Sequence, residues 1–309
     1  MEFGKTLNDE GSKCQKNTLE DEGKTITGKA AANAFAKGDE TESNTNIPLA
    51  RKKKEERAEE IERTKTAAHD IMQNDITMPE LKKSIKKLKK KKPPGPENIT
   101  NEMLQHLGNS ALGTQLNIFR LSWRQGQVPQ CWKDVIMMPI LKKAKSRSKV
   151  LSYRSISLNR SCCKLMEHII NKSMQMYIES ENIIGHEQYK STEDQTTHLS
   201  QVINDAFQAK KVTAVFIDLQ KAFDKVWKYG LLVKLLRYGI SRRISNWTKS
   251  YLYNRRARML VDGQCGRKVL LQQGIRPQGG VLPPTYSIHT LYGFRLISIG
   301  MRRRFHFMQ

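Results

Sequence analysis

One stretch limits the folds open to this 309-residue chain more than any other: Val212-Thr213-Ala214-Val215-Phe216-Ile217-Asp218. It is β-branched and apolar at odd and even positions alike, so as a strand it has no water-facing side. Such a strand belongs at the centre of a covered sheet, which requires a layered domain with a real core. The chain has the material for one, being 38% apolar with Trp, Phe and Tyr recurring through its later part. Its length suffices for one large domain or two ordinary ones. A wholly disordered chain is excluded. Helical and strand patterns mix without regular βαβ alternation, so the expected fold class is α+β rather than a doubly wound sheet.

Around that strand the chain divides by composition. Residues 1–50 have few large apolar side chains and no periodic pattern, and are expected to be disordered. The run Arg51–Lys65, with interleaved charges, reads as a solvated helix or linker. Leu81, Ile85 and Leu88 repeat at helical spacing, so Met78-Pro79 starts a short helix and Pro93-Pro94-Gly95-Pro96 ends it. The lysine run 82–92 reads equally as a nuclear address, a solvated helix face or an arm for a nucleic-acid backbone. Met103, Leu107, Leu112, Ile118, Leu121 and Trp123 predict helices, and Val135–Ile140 a short strand followed by a basic loop, 142–149. Leu165, Met166, Ile169, Ile170 and Met174 mark one amphipathic helix; Leu199, Val202, Ile203, Ala206 and Phe207 mark another. A further helix carries Leu231, Leu232, Leu235 and Leu236. Arg258–Val261, Asp262-Gly263 and Lys268–Leu271 then read as a hairpin.

The net charge of +24 is distributed unevenly: −3 over residues 1–50, +6 over 51–100 and +21 over 101–309. An excess of that size in the folded part implies a polyanionic partner, and nucleic acid fits better than a membrane surface. No stretch approaches the roughly 20 apolar residues that span a bilayer, and the N-terminus has no signal-peptide pattern. An intracellular location, nucleus or cytoplasm, is expected. The five cysteines include an adjacent pair and no C-x-x-C spacing, which disfavours disulfide frameworks and zinc sites.

A carboxylate at the end of an apolar strand is costly unless something binds it. For Asp218 that partner is a Mg²⁺ ion, which favours one or two carboxylates with substrate phosphates, an ion pair with Lys221 or Lys225, or water at an open strand end. The wider string, F-I-D-L-Q-K-A-F-D-K-V-W from Phe216 to Trp227, resembles the first catalytic motif of reverse transcriptases from non-LTR retrotransposons. Other motifs of that family follow its order. Lys92–Ile99 looks like K-A-P-G-P-D-x-I, and Trp132–Lys142 like W-K-x-A-x-x-x-P-I-x-K. Tyr153–Leu158 resembles Y-R-P-I-S-L with Lys164 after it, Ser191–Gln195 resembles S-T-x-D-Q, and Pro277–Leu282 resembles P-Q-G-x-V-L. Ordered matches across residues 76–284 are far more specific than any one motif.

The resemblance implies a right-hand polymerase, here incomplete: fingers over 66–195 and a partial palm over 196–309, divergent after 284, preceded by a disordered or linker segment, 1–65. It implies an RNA template, a DNA primer and deoxynucleoside triphosphates as partners, no membrane, and two Mg²⁺ ions as cofactor. Asp218 matches the first metal-binding aspartate, and Leu219 would offer its carbonyl oxygen. Phe223 matches the bulky residue that crowds the sugar 2′ position; as an ordinary side chain it would pack in a core. Arg154 and Lys164 match basic residues near the triphosphate and template. Gln278 and Gly279 match the loop that approaches the nascent base pair. Asp224 is expected to point away from the metals.

The departures matter equally. Ser155 stands where the family has proline, several residues are absent after Gln188-Tyr189, and Arg276 is inserted before Pro277. The family's second catalytic motif, A-D-D, lies downstream of the P-Q-G loop, yet the last aspartate here is Asp262 and the last glutamate Glu193. Neither a thumb nor an upstream endonuclease is recognisable. Asp218 alone would hold two metals weakly. The expectation is therefore a polymerase by descent that is inactive as it stands, with a non-catalytic basic RNA- or DNA-binding remnant as the alternative.

Overall fold

The computed structural model describes residues 19–21, 24–43, 48–65, 74–183, 196–197, 200–201, 203–204, 223, 226–275 and 280–286. The expected central strand 212–218, the motif at 191–195, the site residues Asp218, Leu219, Gln278 and Gly279, and most of the helix expected over 199–207 lie outside them.

A hairpin of β1 (Leu19–Asp21) and β2 (Lys24–Ile26) leads into α1 (Gly28–Ser43), then α2 (Leu49–Lys65), α3 (Met78–Lys86), α4 (Asn101–Gln105), α5 (Asn109–Gln125) and α6 (Gln130–Lys133). Next come β3 (Asp134–Leu141), β4 (Tyr153–Leu158), α7 (Ser161–Ser180), α8 (Lys228–Arg237), α9 (Arg242–Leu252), β5 (Arg256–Val261) and β6 (Gln264–Leu270). The last four strands form a sheet ordered β4-β3-β5-β6, in which β3 and β5 are parallel and the outer pairs antiparallel. This mixture of helices and sheet is the α+β class expected. The hairpin closes where expected, with Asp262 and Gly263 at φ 49° and 79°, the left-handed pair that a two-residue turn between twisted strands requires.

Helix starts follow local chemistry. Thr77 and Glu80 form a capping box on α3, with Pro79 in the first turn; such caps contribute about 1 kcal/mol. The helix ends at Lys86, well before the prolines expected to stop it. In α5 the buried stripe is Leu112, Leu116, Phe119 and Trp123, while Ile118 and Leu121 are exposed. The expected helix is present, but its inward face is turned, because Leu116 and Phe119 pair with Leu112 and Trp123 at i, i+4 and i+7 spacing.

Two apolar clusters result. The larger gathers α3, α4, α5, α7, α8 and α9 around buried residues such as Phe119, Trp123, Met174, Trp247 and Tyr251. The smaller lies between α1 and one face of the four-stranded sheet, where Phe35 packs edge-on to Tyr153 at 5.0 Å.

That smaller cluster departs from the expected disorder for the described part of 1–50, residues 19–21 and 24–43. Leu19, Ala31, Ala32, Phe35 and Ala36 are buried. The segment's few large apolar side chains suffice because alanines let α1 sit close to the strands. A Cβ on Gly266 of β6 would lie 2.9 Å from the Ala32 backbone, so the glycine sets that approach. Polar contacts fix the register: Arg267 N donates to Asn33 Oδ1 at 2.7 Å, and Ser155 Oγ donates to the Asp39 carboxylate at 3.3 Å. The Arg51–Lys65 stretch is also helical, and its Glu59 is buried with an ion pair to Lys249 at 3.0 Å, so one face of α2 is packed rather than solvated.

Phe35→Ala is expected to lower the unfolding free energy by about 3–4 kcal/mol in urea denaturation, the cost of emptying a buried aromatic site. A change below about 1 kcal/mol would mean that α1 does not hold the sheet in solution.

Candidate nucleic-acid interface

Side-chain alternation gives the four-stranded sheet two unlike faces. Val135, Met137, Tyr153, Ala257, Met259 and Val269 point toward α1. Arg154, Arg256, Arg258 and Lys268, all exposed, point the other way. Register aligns them in cross-strand rows: Arg154 opposite Ile140, and Ile136 beside Arg258, which faces Lys268. Asp134 is the acid on this face, paired with Lys268 at 2.7 Å. Exposed Ile140 and Leu270 add apolar contact area. Arginine forks over a partly apolar sheet suit phosphates and the faces of bases.

Arg154 lies exposed on β4. Lys164 lies one turn into α7, half-buried, where burial holds its ammonium below the ordinary lysine range against the opposing fields of Glu167 and Glu97. The start of α7 meets the Lys92–Ile99 motif and the residues adjoining two others. Gly95 lies so close that a Cβ would sit 2.6 Å from the Asn159 carbonyl oxygen. Glu97 accepts from the Ser161 backbone N–H at 2.5 Å, and Ser161 Oγ donates to the Ile99 carbonyl at 2.6 Å. Arg160 Nε donates to the Cys131 carbonyl at 2.6 Å. The P-P-G-P-E-N-I stretch is therefore a clamp on the helix that carries Lys164.

The same helix reaches the loop at the other end of the motif set. Glu167, fully buried, accepts from Val281 N at 2.7 Å and Leu282 N at 3.3 Å, and from Asn159 Nδ2 at 3.3 Å. Asn159 Oδ1 accepts in turn from Arg255 Nη2 at 3.4 Å, and the buried Arg255 guanidinium lies 4.5 Å from the Tyr251 ring centroid. On the upstream side Gly274 N donates to the Val226 carbonyl and Ile275 N to the Phe223 carbonyl, both at 2.9 Å. The residues flanking Pro277-Gln278-Gly279 are thus tied to the end of the F-I-D motif on one side and to α7 on the other. Phe223 itself is half-buried and packs against the larger core.

Lys228 reinforces this frame. Its buried ammonium donates to the Leu271 carbonyl at 2.7 Å, and burial, followed by the nearby Arg255 charge, pushes its pKa down to about 7. Among the described residues no three His, Cys, Asp or Glu side chains converge as metal ligands. No described helix is long and apolar enough to cross a membrane.

Sequence reading missed Glu167, Asn159, Arg255 and Lys228. Glu167 had a signal: it falls at i+4 from Cys163 and i−3 from Ile170, within the apolar stripe of its helix, where an unpaired charge is not tolerated. Arg255 and Lys228 are single cations among dozens, and nothing local distinguishes them.

The sheet thus presents one basic face on the side opposite α1. Comparison gives the family: the family model for "Reverse transcriptase (RNA-dependent DNA polymerase)" matches residues 140–295. The chain is 34% identical over 228 residues to a probable RNA-directed DNA polymerase from transposon BS of Drosophila melanogaster, covering 70% of this chain and 24% of that protein. It is 33% identical over 228 residues, again 70% and 24%, to the RNA-directed DNA polymerase from mobile element jockey of Drosophila funebris. With a probable polymerase from transposon X-element of Drosophila melanogaster, identity is 27% over 237 residues, 73% of this chain and 26% of that one. The chain belongs to the reverse transcriptase family, and its relatives here come from non-LTR transposons. It spans about a quarter of the length of those curated relatives.

Two outcomes follow from the frame. Glu167→Ala leaves two backbone N–H groups without their acceptor and should cost about 2–4 kcal/mol by urea denaturation, with Glu167→Gln, which keeps one carbonyl oxygen, costing less. Equal losses for both would refute the carboxylate's bridging role. For Lys228, between pH 7 and about 10 the unfolded chain holds a proton that the folded chain has shed, so this group makes stability rise with pH across that window. The gap in unfolding free energy between Lys228→Met and wild type should therefore shift against the variant from pH 7 to pH 9.5. Parallel pH profiles would contradict the lowered pKa.

Proposed function

We propose that this chain is the fingers and part of the palm of an RNA-directed DNA polymerase from a non-LTR retrotransposon, and that its 309 residues grip RNA template and DNA primer without sustaining synthesis. The observation that carries the grip is the open sheet face bearing Arg154, Arg256, Arg258 and Lys268. In this reading the fingers run over 66–195 and the partial palm over 196–309. Arg154 and Lys164 meet the deoxynucleoside triphosphate and template. Phe223 limits the sugar 2′ position, and Gln278 with Gly279 lies under the nascent base pair.

The Asp218 carboxylate and the Leu219 carbonyl would hold Mg²⁺, which in this chemistry activates the primer 3′-hydroxyl and stabilises the leaving pyrophosphate. Their fit rests on the motif match. No Asp or Glu occurs over residues 263–309 to share that load. This favours binding over turnover.

Two assays separate the parts. Binding of a labelled RNA–DNA primer-template should weaken steeply with salt and survive Asp218→Asn, because phosphate contacts release counterions whether or not metal is bound. Changing Arg154, Arg256 and Arg258 together to Gln should lower the slope of log affinity against log salt by about 2; salt-independent binding would overturn the grip. Primer extension on an RNA template with Mg²⁺ should give no product, and Asp218-dependent synthesis would overturn the non-catalytic part alone.

A further inference from the structure

The lysine run 82–92 is not absorbed by the sheet face, and the structure gives part of it a specific surrounding. Leu81 and Ile85 turn α3 into the larger core, with α7 as its main neighbour. The adjoining flanks of the two helices then face each other across a cleft of about 160 Å³. Lys83 and Lys87, one turn apart on α3, line one side; His168 and Lys172, one turn apart on α7, line the other.

The charges in this cleft lack compensation. Glu80 is its carboxylate, and that group is committed to the α3 capping box, its Oε2 accepting from Thr77 N and Thr77 Oγ1 at 2.8 Å each. Lys83, Lys87 and Lys172 form no salt bridge among the described residues. Burial holds the His168 imidazole below its ordinary value, and the Lys164 and Lys87 charges add to that against the field of Glu167. Asn171 accepts the Thr285 hydroxyl at 2.6 Å through Oδ1, so its amide N–H groups remain as donors. The three lysines and the Asn171 amide N–H groups are suited to an anion.

The walls indicate which anion. Small-molecule pockets are lined largely by apolar and aromatic groups, whereas here no aromatic carbocycle lines the cleft and Ile169 is its apolar member. His168 supplies the one ring, and no Phe, Tyr or Trp is present, so the cluster of lysines makes phosphate the group recognised. Exposed Lys82, Lys86, Lys89, Lys90 and Lys91 adjoin the cleft lysines in sequence. We infer that the α3–α7 cleft binds the phosphodiester backbone of a nucleic-acid strand, as a second contact separate from the open sheet face. This rests on the nucleic-acid grip proposed above and extends it to α3, which precedes the matched domain at 140–295, and to the flank of α7 that faces it.

The test uses the 309-residue chain and a fluorescent 25-nucleotide single-stranded RNA, with anisotropy read at several salt concentrations. Lys83→Gln, Lys87→Gln and Lys172→Gln combined should weaken binding at least about tenfold near 0.15 M salt and lower the salt slope by about 2. All three side chains are exposed, so the melting temperature should stay within a few degrees of wild type. If this variant binds like wild type while the Arg154, Arg256 and Arg258 variant loses affinity, the cleft inference fails and the sheet-face reading stands. If neither variant changes binding, both fail. Lost binding of tripolyphosphate or a deoxynucleoside triphosphate with RNA affinity intact would overturn the backbone assignment in favour of a small-ligand site.

Discussion

A carboxylate with no water around it must have its oxygens satisfied by the protein, and the burial of Glu167 imposes that demand at the centre of this molecule. Its partners come from distant parts of the chain: backbone N–H groups of Val281 and Leu282, and the Asn159 amide at the exit of β4. Asn159 in turn links it to Arg255, a buried cation that also holds the end of β6, since Leu271 N donates to the Arg255 carbonyl at 2.9 Å. Neither charge sits in a direct ion pair with the other among the described bonds. An amide bridges them, which fixes direction as well as distance. Moving α7 would therefore orphan several groups at once, so the segments flanking Pro277-Gln278-Gly279 are positioned by the same helix that carries Lys164.

The second constraint is that a sheet with one apolar and one basic face must cover the first and leave the second free. α1 does the covering, and its alanines with Gly266 allow a close approach while Phe35 supplies most of the bulk. Arg154, Arg256 and Arg258 stay in water and escape any desolvation cost, but Arg256 and Arg258, two residues apart on one face of β5, repel one another. With +21 over residues 101–309, that repulsion disfavours the compact state and is relieved by a polyanion. The arrangement thus couples the covering of one face to the availability of the other.

Legibility in the sequence followed the range of the forces involved. The α3 start, β3, α7, α8 and the β5–β6 hairpin were readable because caps, periodicity and turn chemistry act within a few residues. The turned face of α5 and the packing of α1 were not, because a sparse apolar stripe gains meaning only from the surface opposite it. Arg154 and Lys164 were singled out by motif resemblance alone, and the structure places them on an open strand and a half-buried helical turn, which spacing could not give. Glu97 was read as part of a motif; its work as a clamp on the Ser161 N–H is a tertiary contact between residues 64 apart. Lys228 looked like any other surface lysine until its ammonium met the Leu271 carbonyl away from water.

The distribution of acids links the charge to the chemistry. Carboxylates on the described surface are largely engaged: Asp75 with Arg124 and Arg243, Glu40 with Arg267, Asp134 with Lys268. From Gly263 onward the sequence offers none. Under the proposed reading, Asp218 is the one family-matched carboxylate these 309 residues offer a divalent cation. Hard cations need several anionic oxygens, whereas phosphodiesters need only the cations this surface supplies. Under the proposed reading, the same imbalance favours holding a polynucleotide over holding metals.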